Sequence, residues 1–232
     1  MDQSKPSRKQ VREDAYRMAA SIDARVPLLG PLLVVLGAIL LQLTLADKIT
    51  VGPRWLLPGL EGLLLIGLAI ATPMDQVQHK TRRMLALVLI GLVSVANIVS
   101  LALLVHYLLH GGKGGGRALI GSGVELWVTN VLVFGLWYWE LDRGGPLARQ
   151  LRREALPDFL FPQMEAGKRF APEGWTPSLV DYLYTSFTNA TAFSPTDTMP
   201  LTATAKWLMT VQSLTALVTI GLVVARAVNI LS

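Results

Sequence analysis

Five stretches of the chain read as continuous apolar helix, and a sixth reads as a short helix with one polar and one apolar face. The long runs fall at about Val26–Ala46, Trp55–Thr72, Met84–Leu109, Ala118–Leu141 and Ala203–Leu231. Each comes close to or exceeds the roughly 20 residues that a helix needs to cross about 30 Å of hydrocarbon. The second run is the weakest, because Pro58, Gly59 and Glu61 sit in its first half. The short segment, Ser178 to about Thr191, cannot cross. A polar turn follows it, Ala192-Phe193-Ser194-Pro195-Thr196-Asp197, and then the last apolar run. This order outlines a re-entrant loop. Non-helical backbone at membrane depth is tolerated only where protein or a water-filled cavity covers it, so such a loop is a functional feature in itself. The pattern predicts an all-α integral membrane protein with five transmembrane helices and a re-entrant pore helix and loop between spans four and five.

Composition agrees with the pattern. Of the 232 residues, 52% are hydrophobic and 16% charged, where a soluble domain carries about a quarter charged residues. The first 25 residues are polar, and no small-residue cleavage site follows the first apolar run, so that run reads as a retained span. There is no cysteine, which removes thiol catalysis, disulfides and thiolate metal sites. The net charge of +5 reads as loop charge that sets orientation rather than as an affinity for nucleic acid. Lys5, Arg8, Lys9, Arg12, Arg17 and Arg25 precede span one. Lys80, Arg82 and Arg83 follow span two, and Arg143, Arg149, Arg152, Arg153, Lys168 and Arg169 follow span four. The opposite loops hold only Lys48, Arg54, Lys113 and Arg117. The excess of Lys and Arg places the N-terminus in the cytoplasm and the C-terminus outside, with the loop coming in from the cytoplasmic face. The organisation expected is a cytoplasmic segment 1–25, a three-span peripheral region 26–109 and a pore-like module 110–232. That module comprises span four, the connector 142–177, the pore helix and loop 178–202 and span five. Within the connector, Leu147–Leu156 fits a basic amphipathic helix at the membrane surface. Thr176-Pro177 fits a helix start, with Thr as N-cap and Pro at the first position.

Few residues carry recognisable chemistry. Gly111-Gly112-Lys113-Gly114-Gly115-Gly116 lacks the spacing of a phosphate loop and follows a membrane helix rather than a strand, so it reads as a flexible external loop. His106 and His110 lie four apart on one helical face, but no acidic or third nitrogen ligand is near in sequence, and no metal or other cofactor is expected. Glu61 and Glu125 are carboxylates inside spans. A charge there costs about 3 kcal/mol, so each needs a partner, a cavity or a neighbouring helix, either as a packing group or as an ion or proton site. Trp137, Tyr138 and Trp139, followed by Glu140 and Asp142, read as an interfacial aromatic belt with acids at headgroup level. Gln212, Thr215, Thr219 and Arg226 share one face of span five, which is either a packing face or one that lines water.

Tyr184-Thr185-Ser186-Phe187-Thr188-Asn189-Ala190-Thr191, the polar turn after it, and a last helix ending Val224-Ala225-Arg226-Ala227-Val228 resemble the pore region of the two-helix potassium channel superfamily. They resemble still more closely bacterial multi-span membrane proteins that keep this loop without the filter. The resemblance covers about 55 of 232 residues. It implies that Thr188 and Thr191 match pore-helix threonines, and that Ala192-Phe193-Ser194-Pro195 falls where the filter would be. Both filter glycines are missing. A carbonyl-lined filter needs unusual φ/ψ that glycine supplies, whereas Pro195 is fixed near φ −65° and Phe193 is costly at positive φ. A potassium-type filter is therefore not expected. Asp197 lies one place beyond the family's acidic position. The cytoplasmic approach of the loop also departs from potassium channels and resembles ionotropic glutamate receptors.

The function expected is that of a channel-like homo-oligomer, with a tetramer favoured, in a bacterial inner membrane and without potassium-type selectivity. Its pore would be lined by Thr188, Thr191, Phe193, Ser194, Thr196, Asp197, Gln212, Thr215 and Thr219. The alternative is a non-conducting membrane protein that keeps the loop for assembly or partner binding. GxSxG, HExxH and paired intramembrane aspartates are absent, so an enzyme is not expected. The partners expected are the lipid bilayer, further copies of the chain and ions.

Overall fold

A computed structural model describes residues 26–45, 50, 53, 55–71, 79–110, 116–151, 156–165, 175–191 and 197–231. They are mostly helical. Four helices come first: α1 (Val26–Thr44), α2 (Leu56–Ala71), α3 (His79–Leu109) and α4 (Gly116–Leu141). After α4 come a single 3-10 turn, Asp142–Gly144, and a short α5 (Pro146–Leu151). The chain continues through β1 (Phe159–Leu160), α6 (Pro162–Glu165), α7 (Leu179–Thr191), β2 (Met199–Pro200) and α8 (Ala203–Leu231). Three helices are long and apolar enough to cross a membrane, over Thr81–Leu109, Ala118–Gly144 and Ala203–Val228. The described apolar parts of α1 and α2, Leu29–Thr44 and Leu56–Ile66, are shorter.

Helix α4 is the axis of the molecule. It packs on α1 and α3 along one side and on α7 and α8 along the other, while α2 packs on α1 and α3. The first side is an apolar core in which Val35, Ala38 and Ile39 of α1 and Leu89, Ile90 and Val93 of α3 meet Val133 and Leu136 of α4. The second side is aromatic near the end of α4. There Phe134, Tyr138 and Trp139 pack with Phe159 and Phe161 of the connector and Tyr182 of α7.

Two departures from the sequence pattern matter for the site. The aromatic run at the end of α4 does not form an outward belt: Tyr138 and Trp139 are buried in the core, and so are Glu140 and Asp142. Trp137 is half-buried and donates its indole N–H to Ser94 Oγ at 2.9 Å. A small antiparallel sheet that the all-α reading lacks also ties the connector to the segment before α8, with Phe159 opposite Pro200 and Leu160 opposite Met199. Among smaller differences, α7 begins at Leu179 rather than just after Thr176, and its cap is Ser178. The Asp181 carboxylate, at the third helical position, accepts from the Ser178 backbone N–H at 2.7 Å and from its hydroxyl at 2.6 Å. The basic helix expected over Leu147–Leu156 is Pro146–Leu151 here; residues 152–155 lie outside the described set, and Leu156 is exposed and not helical.

Candidate functional site: a short helix seated between two long ones

The ends of α7 mark its course. Tyr182, near its start, lies beside Asp142 at the end of α4, and its hydroxyl donates to Asp142 Oδ2. One turn on, the Ser186 hydroxyl donates to the Val131 carbonyl at 2.6 Å. Near the far end, Trp127 Nε1 donates to the Ala190 carbonyl at 3.4 Å. Residues 142, 131 and 127 descend along α4, so α7 runs antiparallel to it from the Asp142 end toward its middle. The chain is back at the Asp142 end by Thr198, whose hydroxyl lies 3.4 Å from that of Thr185, and by Met199, which pairs with Leu160. From there α8 runs down α4 a second time, with Ala205 in the aromatic cluster and Gln212 bonded to Tyr138.

What seats α7 is a buried polar network. Gln212 of α8 is fully enclosed. Its amide nitrogen donates to the Ser186 carbonyl at 2.9 Å and to Ser186 Oγ at 2.6 Å. Its amide oxygen accepts from the Tyr138 hydroxyl of α4 and from Asn189 Nδ2 of α7 at 2.8 Å. Asn189 also donates to the Met209 carbonyl at 3.0 Å and accepts from the Ser213 hydroxyl at 3.1 Å. One glutamine thus links all three helices. In a low-dielectric interior each of these bonds is strong, and each partner left alone is costly. Close approach does the rest. A Cβ on Gly135 of α4 would stand 2.6 Å from Leu183 Cδ2 and 3.2 Å from Leu183 Cα, so only glycine lets α7 lie this near.

The Asp142 end is tied as firmly. Arg143, Gly144 and Gly145 have φ of 52°, 83° and 99°, which turns the chain sharply out of α4. Asp142 is fully buried; besides Tyr182, it accepts from the Asp158 backbone N–H at 2.7 Å. Asp158 in turn accepts from the Arg143 backbone N–H at 2.9 Å and from the Thr202 hydroxyl at 2.7 Å. Thr202 caps α8 by accepting from the Ala205 N–H at 3.3 Å. Arg149 is buried beneath this turn. It donates to the carbonyls of Trp139 and Asp142 and lies 5.6 Å and 5.0 Å from the ring centres of Trp139 and Tyr182. Burial lowers the guanidinium's pKa from its ordinary value, and the neighbouring Tyr182, Asp142 and Glu140 oppose that shift. Burial likewise pushes the Tyr182 hydroxyl up, so it stays protonated and able to donate to Asp142.

The residues singled out from sequence fall in three places. Gln212 is the hub of the network and Thr219 is buried; Thr215 is half-buried, and the Thr215 and Thr219 hydroxyls donate to Val211 and Thr215 carbonyls of their own helix. Thr188 and Thr191, both half-buried, likewise donate within α7, to Tyr184 or Thr185 and to Thr188 respectively. Asp197 is exposed. Phe193, Ser194 and Thr196 lie outside the described residues. Glu61 and Glu125 are remote from α7 in the sense that neither joins its network. Glu125 is half-buried with Oε2 enclosed and unpartnered, and Glu61 is fully buried. His106 and His110 stack at 4.0 Å and are exposed, and among the described residues no group of three metal-capable side chains forms. Sequence reasoning missed Tyr138, Ser186, Asn189, Asp158 and Thr202. The available signal was Asn189, an amide on the same short helix as Ser186, paired with the Gln212 amide in the first half of the last apolar span.

Compared with protein-family models, with curated proteins and with solved structures, the chain matches none.

Proposed function

We propose that this is a multi-pass membrane protein in which α4, α7 and α8 form a channel-like module around a re-entrant loop, assembled as a homo-oligomer. The observation that carries the reading is the course of the chain. A short helix descends beside α4, the chain returns to the level of its start, and a second long helix then descends. In this reading α1 and α2 complete five spans. Arg82, Arg83, Arg143 and Arg149 all belong to the Asp142 end, which favours the cytoplasm for that end and the outside for the C-terminus. The oligomer follows from coverage. Val180, Tyr184 and Phe187 form an exposed stripe along α7, with Phe187 also meeting Trp127 of α4 edge-on. A loop at membrane depth needs protein on that side. We favour four copies because the resembled family closes four such loops on one axis. Ion selection would then come from side chains, Thr188, Thr191, Ser194, Thr196 and Asp197, with Phe193 as an apolar constriction.

One observation favours the non-conducting alternative. Much of the polar side-chain capacity of α7 is spent inside its own chain, on Gln212, Tyr138 and Val131. Flux into liposomes separates the two. Phe193→Ser raises ion leak if the ring closes a pore. Equal impermeability of wild type and variant, with the oligomer intact by mass in detergent, leaves the assembly role. A strict monomer overturns the oligomeric module, and a reporter after Ser232 that reads cytoplasmic overturns the orientation.

A further inference from the structure

Helices α1, α2 and α3 enclose a polar feature that the loop reading does not use. Glu61 of α2 has no exposed surface. Its Oε1 accepts from Gln42 Nε2 of α1 at 3.3 Å, a long bond, and its Oε2 is enclosed with no partner. Gln42 also lines a cavity of about 20 Å³ at the α1–α2 turn, together with Ser100 of α3, Thr50 and Pro58. Such a volume admits a water molecule beside polar groups. Pro58 stands three residues before Glu61 on the same helix, and Gln42 touches both the carboxyl and the cavity.

An ionised carboxylate has room for about four donors, and among the described residues Glu61 receives one. Among the described residues the facing groups supply no counter-charge. Helix α1 presents Gln42. Helix α3 carries Ser100 and the buried Asn97; its ionisable groups at this end are exposed His106 and half-buried Tyr107, while Arg82 and Arg83 lie at the other end beside Glu140. Lys48 and Arg54 lie outside the described residues. A neutral acid fits these surroundings, because it removes the charge and gives Oε2 a hydrogen.

We propose that Glu61 is a proton-binding site, a carboxylic acid held un-ionised among α1, α2 and α3 that exchanges its proton with water through the cavity at the α1–α2 turn. On release the O–H bond breaks, the proton passes to water, and the carboxylate keeps its bond from Gln42. This site stands whether or not the α4–α7–α8 module conducts.

Infrared difference spectra of the full chain in liposomes, taken from about pH 5 to about pH 9, test it across the range over which buried carboxyls titrate. The acid carbonyl band should be present at the low end, fade as pH rises, and be missing from Glu61→Gln. Dicyclohexylcarbodiimide supplies a second readout that needs no variant. An un-ionised carboxyl adds across one of its C=N bonds, the proton going to nitrogen and the carboxyl oxygen to carbon, and migration of the acyl group from that oxygen to nitrogen leaves a stable N-acylurea. Peptide mass mapping of wild type should place the adduct on Glu61, with labelling falling about tenfold per pH unit once the acid ionises. No adduct on Glu61 at any pH overturns the proposal, as does a band that persists in Glu61→Gln.

Discussion

The two sides of α4 are held by different forces. Toward α1 and α3 the contact is mostly aliphatic, crossed by the bond from Trp137 to Ser94 and, at the Asp142 end, by a long one from Arg83 Nη2 to the Glu140 carbonyl at 3.5 Å. Toward α7 and α8 the contact is threaded with amides, hydroxyls and buried carboxylates. In a bilayer that contrast decides how sharply a helix is positioned. Lipid tails are as apolar as leucine, so aliphatic contact between helices gains only the difference in packing. A hydrogen bond to one amide fixes depth and rotation together. The side that must hold a helix too short to span uses the directional interaction, and the side that only needs neighbours does not.

The sharpest way to break that comparison is Asp142→Ala. It strands the Tyr182 hydroxyl and the Asp158 N–H and leaves Arg149 beside a lost charge, so we expect about 4 kcal/mol of destabilisation in thermal unfolding in detergent. Gln212→Leu comes next, at about 3 kcal/mol, because four side-chain bonds disappear and the buried Tyr138 hydroxyl loses the acceptor for its proton. A limited-proteolysis site opening near α7 would show that the loss is local to that helix. Gly135→Ala forces α7 off α4 at Leu183 and should cost about 2 kcal/mol. The smallest effect belongs to the aliphatic side. Ser94→Ala removes one interhelical bond, worth about 0.6 kcal/mol on average in a membrane, along with the hydroxyl's bond to the Ile90 carbonyl of its own helix. Should Ser94→Ala rival Gln212→Leu in the same assay, the distinction between the two sides fails.

The long helices were legible because apolar runs of that length have few alternatives. Span five, expected at Ala203–Leu231, is α8 with those bounds, and span four, expected from Ala118, begins only two residues earlier. Helix α3 begins earlier still, at His79, because Arg82 and Arg83 continue it beyond the apolar run. The site was legible only in outline. The short helix showed in its length and two-faced pattern, but composition cannot tell whether Tyr138 and Trp139 face lipid or core. Asp142 looked like an acid at the surface because its buried partners, Tyr182 and Asp158, are 40 and 16 residues away. The β1–β2 pair is two residues long on each side, too short for any periodicity to register.

The clasp of Asp158 with Thr202 and Leu201 also constrains the order of biogenesis. Thr202 is translated 44 residues after Asp158. Until Thr202 has left the ribosome, α7 has no α8 amide to bond and no return segment to anchor it. A 13-residue helix bearing Ser186 and Asn189 gains nothing by entering lipid alone. On the re-entrant reading proposed above, it waits at the membrane surface and is drawn in only when α8 inserts, so that seating the loop is the last step of maturation and not one stage in a sequential threading of spans.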